Sequence, residues 1–291
     1  MYNHPLKFLL KNDPNKVISS GGVAVRRLLS PMLLHAVAPL TTKNKLIIER
    51  CESIPKRRRL IFASTHGFKD DITMAMRTSG RHTYLLYGSL PDFFETFHGI
   101  ALWLSGVILV DRGNKASRKA AKEKMIRVLK LGTDILMFPE GTWNKSPNQI
   151  VLKLFPGVYD TAAKTGALVV PIVSVEGNGK VYVIMEKAFD ITCYSKEEGM
   201  KILRDKMSTA KYELMEKYAV AKRSDFPEPE KYWHDFIESL IATTKYHYDR
   251  TIEDGSHFID KSVVEHESAF EHLRHIVPCA NNAFLFNKHL K

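Results

Sequence analysis

Leu60-Ile61-Phe62-Ala63-Ser64-Thr65-His66-Gly67-Phe68-Lys69-Asp70-Asp71 passes from an uncharged, mostly apolar run into a short turn and then onto two acidic residues. A short apolar run bounded by a turn reads as a buried strand. An aspartate after such a turn suits a helix N-cap, so a helix is expected over 70–76. The stretch is one strand-to-helix unit, and the same alternation repeats along the chain.

Strands are expected over 82–87, 107–110, 134–138, 168–175 and 181–185, and helices over 92–104, 115–131 and 159–165, the last stopped by Gly166. Gly177-Asn178-Gly179-Lys180 lacks the glycine spacing and the following Ser or Thr of a phosphate loop, and reads as a hairpin turn. Pro171 inside a strand-like run marks an edge or an irregularity. Alternating short strands and helices imply an α/β fold with a mixed central sheet flanked by helices. Residues 195–221 read as a long helix, and Asp225-Phe226-Pro227-Glu228-Pro229 as a linker. The expected domains are an N-terminal amphipathic arm (1–45), a catalytic-size α/β domain (46–221) and a C-terminal helical extension (222–291).

The chain has 291 residues, 44% of them hydrophobic and 26% charged, which excludes a disordered or fibrous class. Its net charge of +11 favours polyanionic partners: nucleic acid, anionic lipid, an acidic carrier or a nucleotide-thioester. Cys51, Cys193 and Cys279 are odd in number and widely spaced, which argues against a disulfide framework and fits a reducing compartment. The N-terminal apolar patch is broken by Lys7 and Lys11, unlike a secretory leader. Residues 28–40 are interrupted by Pro31, His35 and Pro39 and are expected to be an interfacial or core segment rather than a membrane span. The apolar face and basic edge of 23–40 suit a helix lying on a membrane surface, or equally one packed on the main domain.

Four blocks carry chemistry-bearing residues. Four residues separate His66 from Asp71. A histidine leaving a strand and a carboxylate inside the next helix can form a base and its orienting acceptor, provided a turn lies between them, which Gly67 permits. The plainer alternative is a strand end followed by a capping aspartate. Gly106-Val107-Ile108-Leu109-Val110-Asp111-Arg112 places an arginine at a strand end, where its planar fork can clamp a phosphate or simply pair with a carboxylate. Phe138-Pro139-Glu140-Gly141-Thr142 places a carboxylate and close-approaching backbone on a turn, which Pro and Gly alone also explain. Val170-Pro171-Ile172 is the fourth. His66, Arg112 and Glu140 all fall at expected strand carboxyl ends, where α/β sheets bind ligands.

The order and spacing of these blocks resemble the glycerolipid acyltransferase family, in particular bacterial 1-acyl-glycerol-3-phosphate acyltransferases, over about residues 44–187. That resemblance implies a transfer of a fatty acyl group from a thioester to a hydroxyl in phospholipid synthesis, with no acyl-enzyme. His66 would be the general base, Asp71 its orienting partner, and Arg112, Glu140, Gly141 and Thr142 the binding site of the acceptor's phosphate and glycerol. No cofactor or metal is expected, the donor being acyl-CoA or acyl carrier protein. The expected partners are a lysolipid acceptor and an anionic membrane, with the chain peripheral on the cytoplasmic face of the cell membrane and no nucleic acid bound. Three positions depart from the family pattern, and all concern the acceptor region. Thr65 stands where Asn is frequent, Trp143 where Arg is frequent, and Phe155-Pro156 precede Gly157 where a basic residue is usual.

The rival readings are another acceptor, such as glycerol 3-phosphate or an amino-acid lipid, and a non-catalytic basic protein binding membrane or nucleic acid. A metal-dependent hydrolase would rest on His266, His272 and His275 among neighbouring glutamates, residues more ordinarily just solvated.

Overall fold

The run from Leu60 forms a central strand of a seven-stranded mixed sheet in a computed structural model, which describes residues 4–10, 13–88, 93–94, 97–146, 149–218, 227–244, 277 and 279. The first elements are α1 (His4–Leu9), α2 (Pro14–Val17), α3 (Ser20–Met32), a π turn (Leu33–Val37) and α4 (Ala38–Thr41). Then come β1 (Lys45–Cys51), β2 (Leu60–Ser64), α5 (Asp71–Ser79), β3 (Thr83–Tyr87), α6 (Phe97–Ser105), β4 (Val107–Leu109) and α7 (Lys115–Lys130). The chain continues with β5 (Asp134–Met137), α8 (Gly157–Thr165), β6 (Leu168–Gly177), β7 (Lys180–Met185), a 3-10 turn (Ile191–Cys193), α9 (Lys196–Tyr218) and α10 (Pro229–Thr244). Two units divide the chain, Met1–Tyr248 and Asp249–Lys291. Every named element lies in the first; in the second only Val277 and Cys279 are described. The expected C-terminal extension is thus helical at α10, while His266, His272 and His275 lie outside the described residues.

Strand order is β1-β7-β6-β2-β5-β3-β4, parallel throughout except for the β6–β7 hairpin. That hairpin turns at Asn178 and Gly179, both with positive φ (53° and 70°), as a two-residue type I′ turn requires. β2 is buried along its whole length because both its faces are covered. Ile61 and Ala63 join the core under α7, α8 and α9, whereas Leu60 and Phe62 join the core under α5 and α6. The chain leaves β2 for α5 on one face and leaves neighbouring β5 for α8 on the other. The carboxyl ends of β2 and β5 therefore flank a topological switch point, where α/β sheets open a crevice.

Pro171 lies in a central strand, not at an edge. Its carbonyl accepts Glu186 N–H (2.9 Å), so its missing N–H faces the end of β7 and no bond to β2 is lost. Lys45–Cys51, a strand the sequence pattern does not announce, is an edge strand paired only with β7. Its run of Lys45, Glu49 and Arg50 hides the alternation expected of a half-buried strand.

Residues 20–40 form one continuous helical segment, as the amphipathic reading of 23–40 expects, and it is long and apolar enough to cross a bilayer. A proline removes a helical bond, and the π turn Leu33–Val37 directly after Pro31 lets the helix run on. Only 28% of its most apolar window is buried. One side is tied to the domain: Arg27 Nη2 donates to Gly132 O (2.9 Å) and Thr133 Oγ1 (2.8 Å), and Arg26 Nε to Trp103 O (3.2 Å). The other side exposes Val25, Leu28, Met32 and Leu40.

At the amino edge of the sheet, buried Asp134 accepts Leu60 N–H (2.9 Å) and pairs with Arg81 Nε (2.7 Å), and burial pushes its pKa up. Arg81→Met leaves that carboxylate unpaired, so a loss of roughly 3 kcal/mol of stability is expected by chemical denaturation. A melt unchanged at neutral pH would contradict this account of the sheet edge.

Lys124 of α7 is also buried, with Nζ donating to Leu9 O (2.8 Å), and burial lowers its pKa to about 8. The unfolded chain, with the ordinary lysine value of 10.5, then binds more protons than the folded one between about 8 and 10.5. The penalty from this group is full below about 8 and is relieved as pH rises through that window. Lys124→Met is expected to be the more stable form at pH 7, by up to roughly 3 kcal/mol. Its advantage should shrink toward pH 10.5; paired melts at pH 7 and pH 10 that differ by the same amount would contradict this.

Candidate active site

β2 delivers His66 to the switch point, two residues beyond its end at Ser64. Thr65 secures that exit: its N–H donates to Ile172 O (3.0 Å), and its Oγ1 accepts Ser174 N–H (3.1 Å). The chain then bends so that Asp71, the first residue of α5, returns beneath the ring. Asp71 Oδ2 lies 2.9 Å from His66 Nδ1 and also accepts Gly67 N–H (2.7 Å) and Phe68 N–H (3.1 Å). With two backbone donors already on that oxygen, the ring joins them as a third by carrying its proton on Nδ1. Nε2, which has no partner among the described residues, is then the nitrogen with a free lone pair. The Asp71 side chain is fully buried and the His66 side chain 18% exposed, so the acceptor is shielded while the ring still meets solvent.

Gly67 is not demanded by backbone conformation: its φ is not positive, and a Cβ there would meet only Asn144 O at 3.8 Å. Asp70, the expected cap, sits at the N-cap position of α5 but makes no capping bond. Its Oδ2 instead accepts the Lys43 N–H (3.0 Å) and ties the N-terminal segment to the site.

The turn after β5 wraps the same histidine. Glu140 is fully buried, and its Oε1 accepts His66 N–H (3.0 Å) while Oε2 accepts Leu152 N–H (2.8 Å). The carboxylate thus braces the His66 backbone from below. Burial raises the Glu140 pKa. Asn144 N–H donates to His66 O (2.7 Å), Phe138 lies 4.4 Å from the imidazole centroid, and Trp143 meets the ring edge-on at 6.0 Å. Gly141 and Thr142 are the partly exposed members of that turn. Gly141 has φ +74°, and a Cβ on it would approach the Phe155 ring to 2.6 Å, so glycine is required here. Exposed Arg112, two strands away from β5 at the end of β4, reaches the turn through a hydrogen bond from Nη1 to the Gly141 carbonyl. His66, Asp71, Arg112, Glu140, Gly141 and Thr142 are therefore brought to one place.

Two further cations stand there. Lys145 Nζ lies 5.6 Å from the Trp143 ring centroid and interacts electrostatically with Asp71. Lys211, from α9, interacts with Glu140 and Asp71. Burial lowers the pKa of both lysines. Lys211 carries no local signature, since α9 is rich in lysines and only packing selects this one. The loop bearing Leu152 is held by the same helix, through Arg204 donating to Val151 O (2.9 Å). Among the described residues, no group of three or more His, Cys, Asp or Glu could hold a metal.

A histidine with its inner nitrogen on a buried carboxylate, at the carboxyl edge of an α/β sheet, is an arrangement that can deprotonate a hydroxyl. Residues 45–175 match the Acyltransferase family, and this match together with the relatives below supports a glycerolipid-type O-acyltransferase, the class the motif order implied. It is similar to the 1-acyl-sn-glycerol-3-phosphate acyltransferase of Borreliella burgdorferi, with 29% identity over 56% of this chain and 70% of that protein. It is also similar to a chloroplastic 1-acyl-sn-glycerol-3-phosphate acyltransferase of Brassica napus, with 34% identity over 47% of this chain and 39% of that protein. Among solved structures, the 1-acyl-sn-glycerophosphate (LPA) acyltransferase PlsC of Thermotoga maritima aligns with 72% of this chain and 87% of its own, at 21% identity and a TM-score of 0.47.

Proposed function

We propose that this chain transfers a fatty acyl group from a thioester to the free hydroxyl of 1-acyl-glycerol 3-phosphate, in phospholipid synthesis. The observation that carries the reading is the His66 Nδ1–Asp71 Oδ2 contact of 2.9 Å at the switch point. His66 Nε2 takes the proton of the acceptor hydroxyl as its oxygen attacks the thioester carbonyl, and Asp71 stabilises the imidazolium that forms. The carbon–sulfur bond breaks, the thiolate leaves, and the proton on Nε2 returns to it. Exposed Arg112 and the Gly141-Thr142 turn receive the acceptor's phosphate and glycerol, while Glu140 holds His66 in place. Thioester-to-alcohol transfer runs downhill, so the chain's work is to orient two substrates and move one proton. The donor is acyl-CoA or acyl carrier protein. The exposed apolar side of the Ser20–Leu40 segment, with the net charge of +11, supports docking on the cytoplasmic, anionic face of the cell membrane.

Trp143 and Phe155 both border the site, and they occupy positions where the family pattern has basic residues. They favour a second reading in which the acceptor is a different lysolipid. Purified protein, anionic vesicles, acyl-CoA or acyl carrier protein, and a panel of lysolipids with glycerol 3-phosphate decide between these. Thioester consumption dependent on 1-acyl-glycerol 3-phosphate supports the first reading. Consumption only with another acceptor keeps the reaction and replaces the acceptor. No consumption with any pair overturns the enzymatic reading in favour of a membrane-binding protein.

A further inference from the structure

Ala210 and Leu214 bury the inner face of α9, and Lys211 lies between them, two turns beyond Arg204 and on the same side. Arg204 spends its guanidinium on Val151 O and Gln149 Oε1. Lys211 makes no hydrogen bond and no ion pair within 4.0 Å among the described residues. Lys145 is alike in this, its neighbours being the rings of Trp143 at 5.6 Å and Phe236 at 5.5 Å. The carboxylates that face these lysines hold other donors, save for Asp71 Oδ1, which is buried without a hydrogen-bond partner. Asp71 Oδ2 takes three donors, Glu140 takes two backbone N–H groups, and Glu176 accepts Asn44 Nδ2 (2.6 Å). Two recessed ammonium groups beside the histidine are thus charges without a contact partner. Burial of such groups is costly unless an anion completes the site.

We infer that Lys145 and Lys211 form a recess beside His66 for the phosphate of a phosphate-bearing substrate, with Lys211 supplied by a helix outside the matched stretch 45–175. The inference deepens the proposed function and rests on it for the identity of the substrate. A compact ammonium with three donors suits a phosphate oxygen. The two lysines take over the charge that Trp143 and Phe155 do not provide. The acceptor's phosphomonoester and the phosphates of a nucleotide-thioester donor share this chemistry, and soluble probes separate them.

Glycerol 3-phosphate and coenzyme A are titrated calorimetrically into the full-length protein and its Lys145→Met, Lys211→Met and Lys211→Arg variants, with thermal melts alongside. Each Met variant is expected to weaken glycerol 3-phosphate binding by roughly tenfold or more, and Lys211→Arg to restore most of it. In steady state the loss should fall on KM for a phosphorylated acceptor and spare an uncharged monoacylglycerol. A loss confined to coenzyme A assigns the recess to the donor's phosphates. Unchanged affinity for both probes with an unchanged melt, no binding by the wild type, or a loss that Arg does not recover overturns the recess. Lysine-dependent phosphate binding by a protein that transfers no acyl group would instead remove the proposed function and leave the recess standing.

Discussion

His66→Ala is expected to lower the turnover of acyl transfer by roughly 100- to 10,000-fold, the range contributed by a positioned general base. The fold should survive. The local chain is held through backbone groups that alanine retains: His66 N–H on Glu140 and His66 O on Asn144 N–H. The lost ring contact with Phe138 lies at a partly solvated site. Melting temperature and circular dichroism should therefore stay near wild type while turnover collapses. A variant that keeps more than a tenth of the activity would remove His66 from the base role. Asp71→Asn separates the two members of the pair. An asparagine oxygen can still accept Gly67 N–H and Phe68 N–H, but it bears no charge to stabilise an imidazolium, so turnover should fall with KM little changed.

The second large effect is on stability. Glu140→Ala strips the partner from two backbone N–H groups, those of His66 and Leu152, in a place where Glu140 itself is fully buried. Unsatisfied buried donors cost about 1 to 3 kcal/mol each, so a loss of roughly 3 kcal/mol is expected. For a domain of this size that corresponds to about 6 to 12 °C in the melting temperature. Activity should fall as well, because the His66 backbone loses its brace. Glu140→Gln, which keeps one accepting oxygen, should lie between. The variant also discriminates two roles for this residue. A lowered melt marks a brace; an unchanged melt with a raised KM for the acceptor would mean that Glu140 binds substrate, as the motif resemblance implies.

Local residues carry much of this architecture. The unbroken apolar run of β2, the strand-ending Pro139-Glu140-Gly141 turn and the Gly177-Asn178-Gly179-Lys180 hairpin are each legible because the signal is contained in a few consecutive residues. The four-residue interval between His66 and Asp71 is legible for the same reason, since one tight turn closes it. β1 was not legible, because a strand paired on one side only needs little apolar patterning. The π turn that carries the helix past Pro31 is hidden too, because it leaves no mark in composition.

The amino-acid sequence by itself determined the alternation of strands and helices, the interval that allows His66 to meet Asp71 and the order of blocks that resembles the acyltransferase class. These depend on spacing along the chain, and spacing is what a sequence states directly. Only the tertiary structure decided that Glu140 lies fully buried under the His66 backbone, that Arg112 crosses to the Gly141 carbonyl, and that Lys211 of α9 stands at the site. Those meetings follow from the strand order, which sets β2 beside β5, and from α9 packing on β6 and β7. Long-range contact is chosen by burial and by the satisfaction of buried polar groups, and no local pattern encodes that choice.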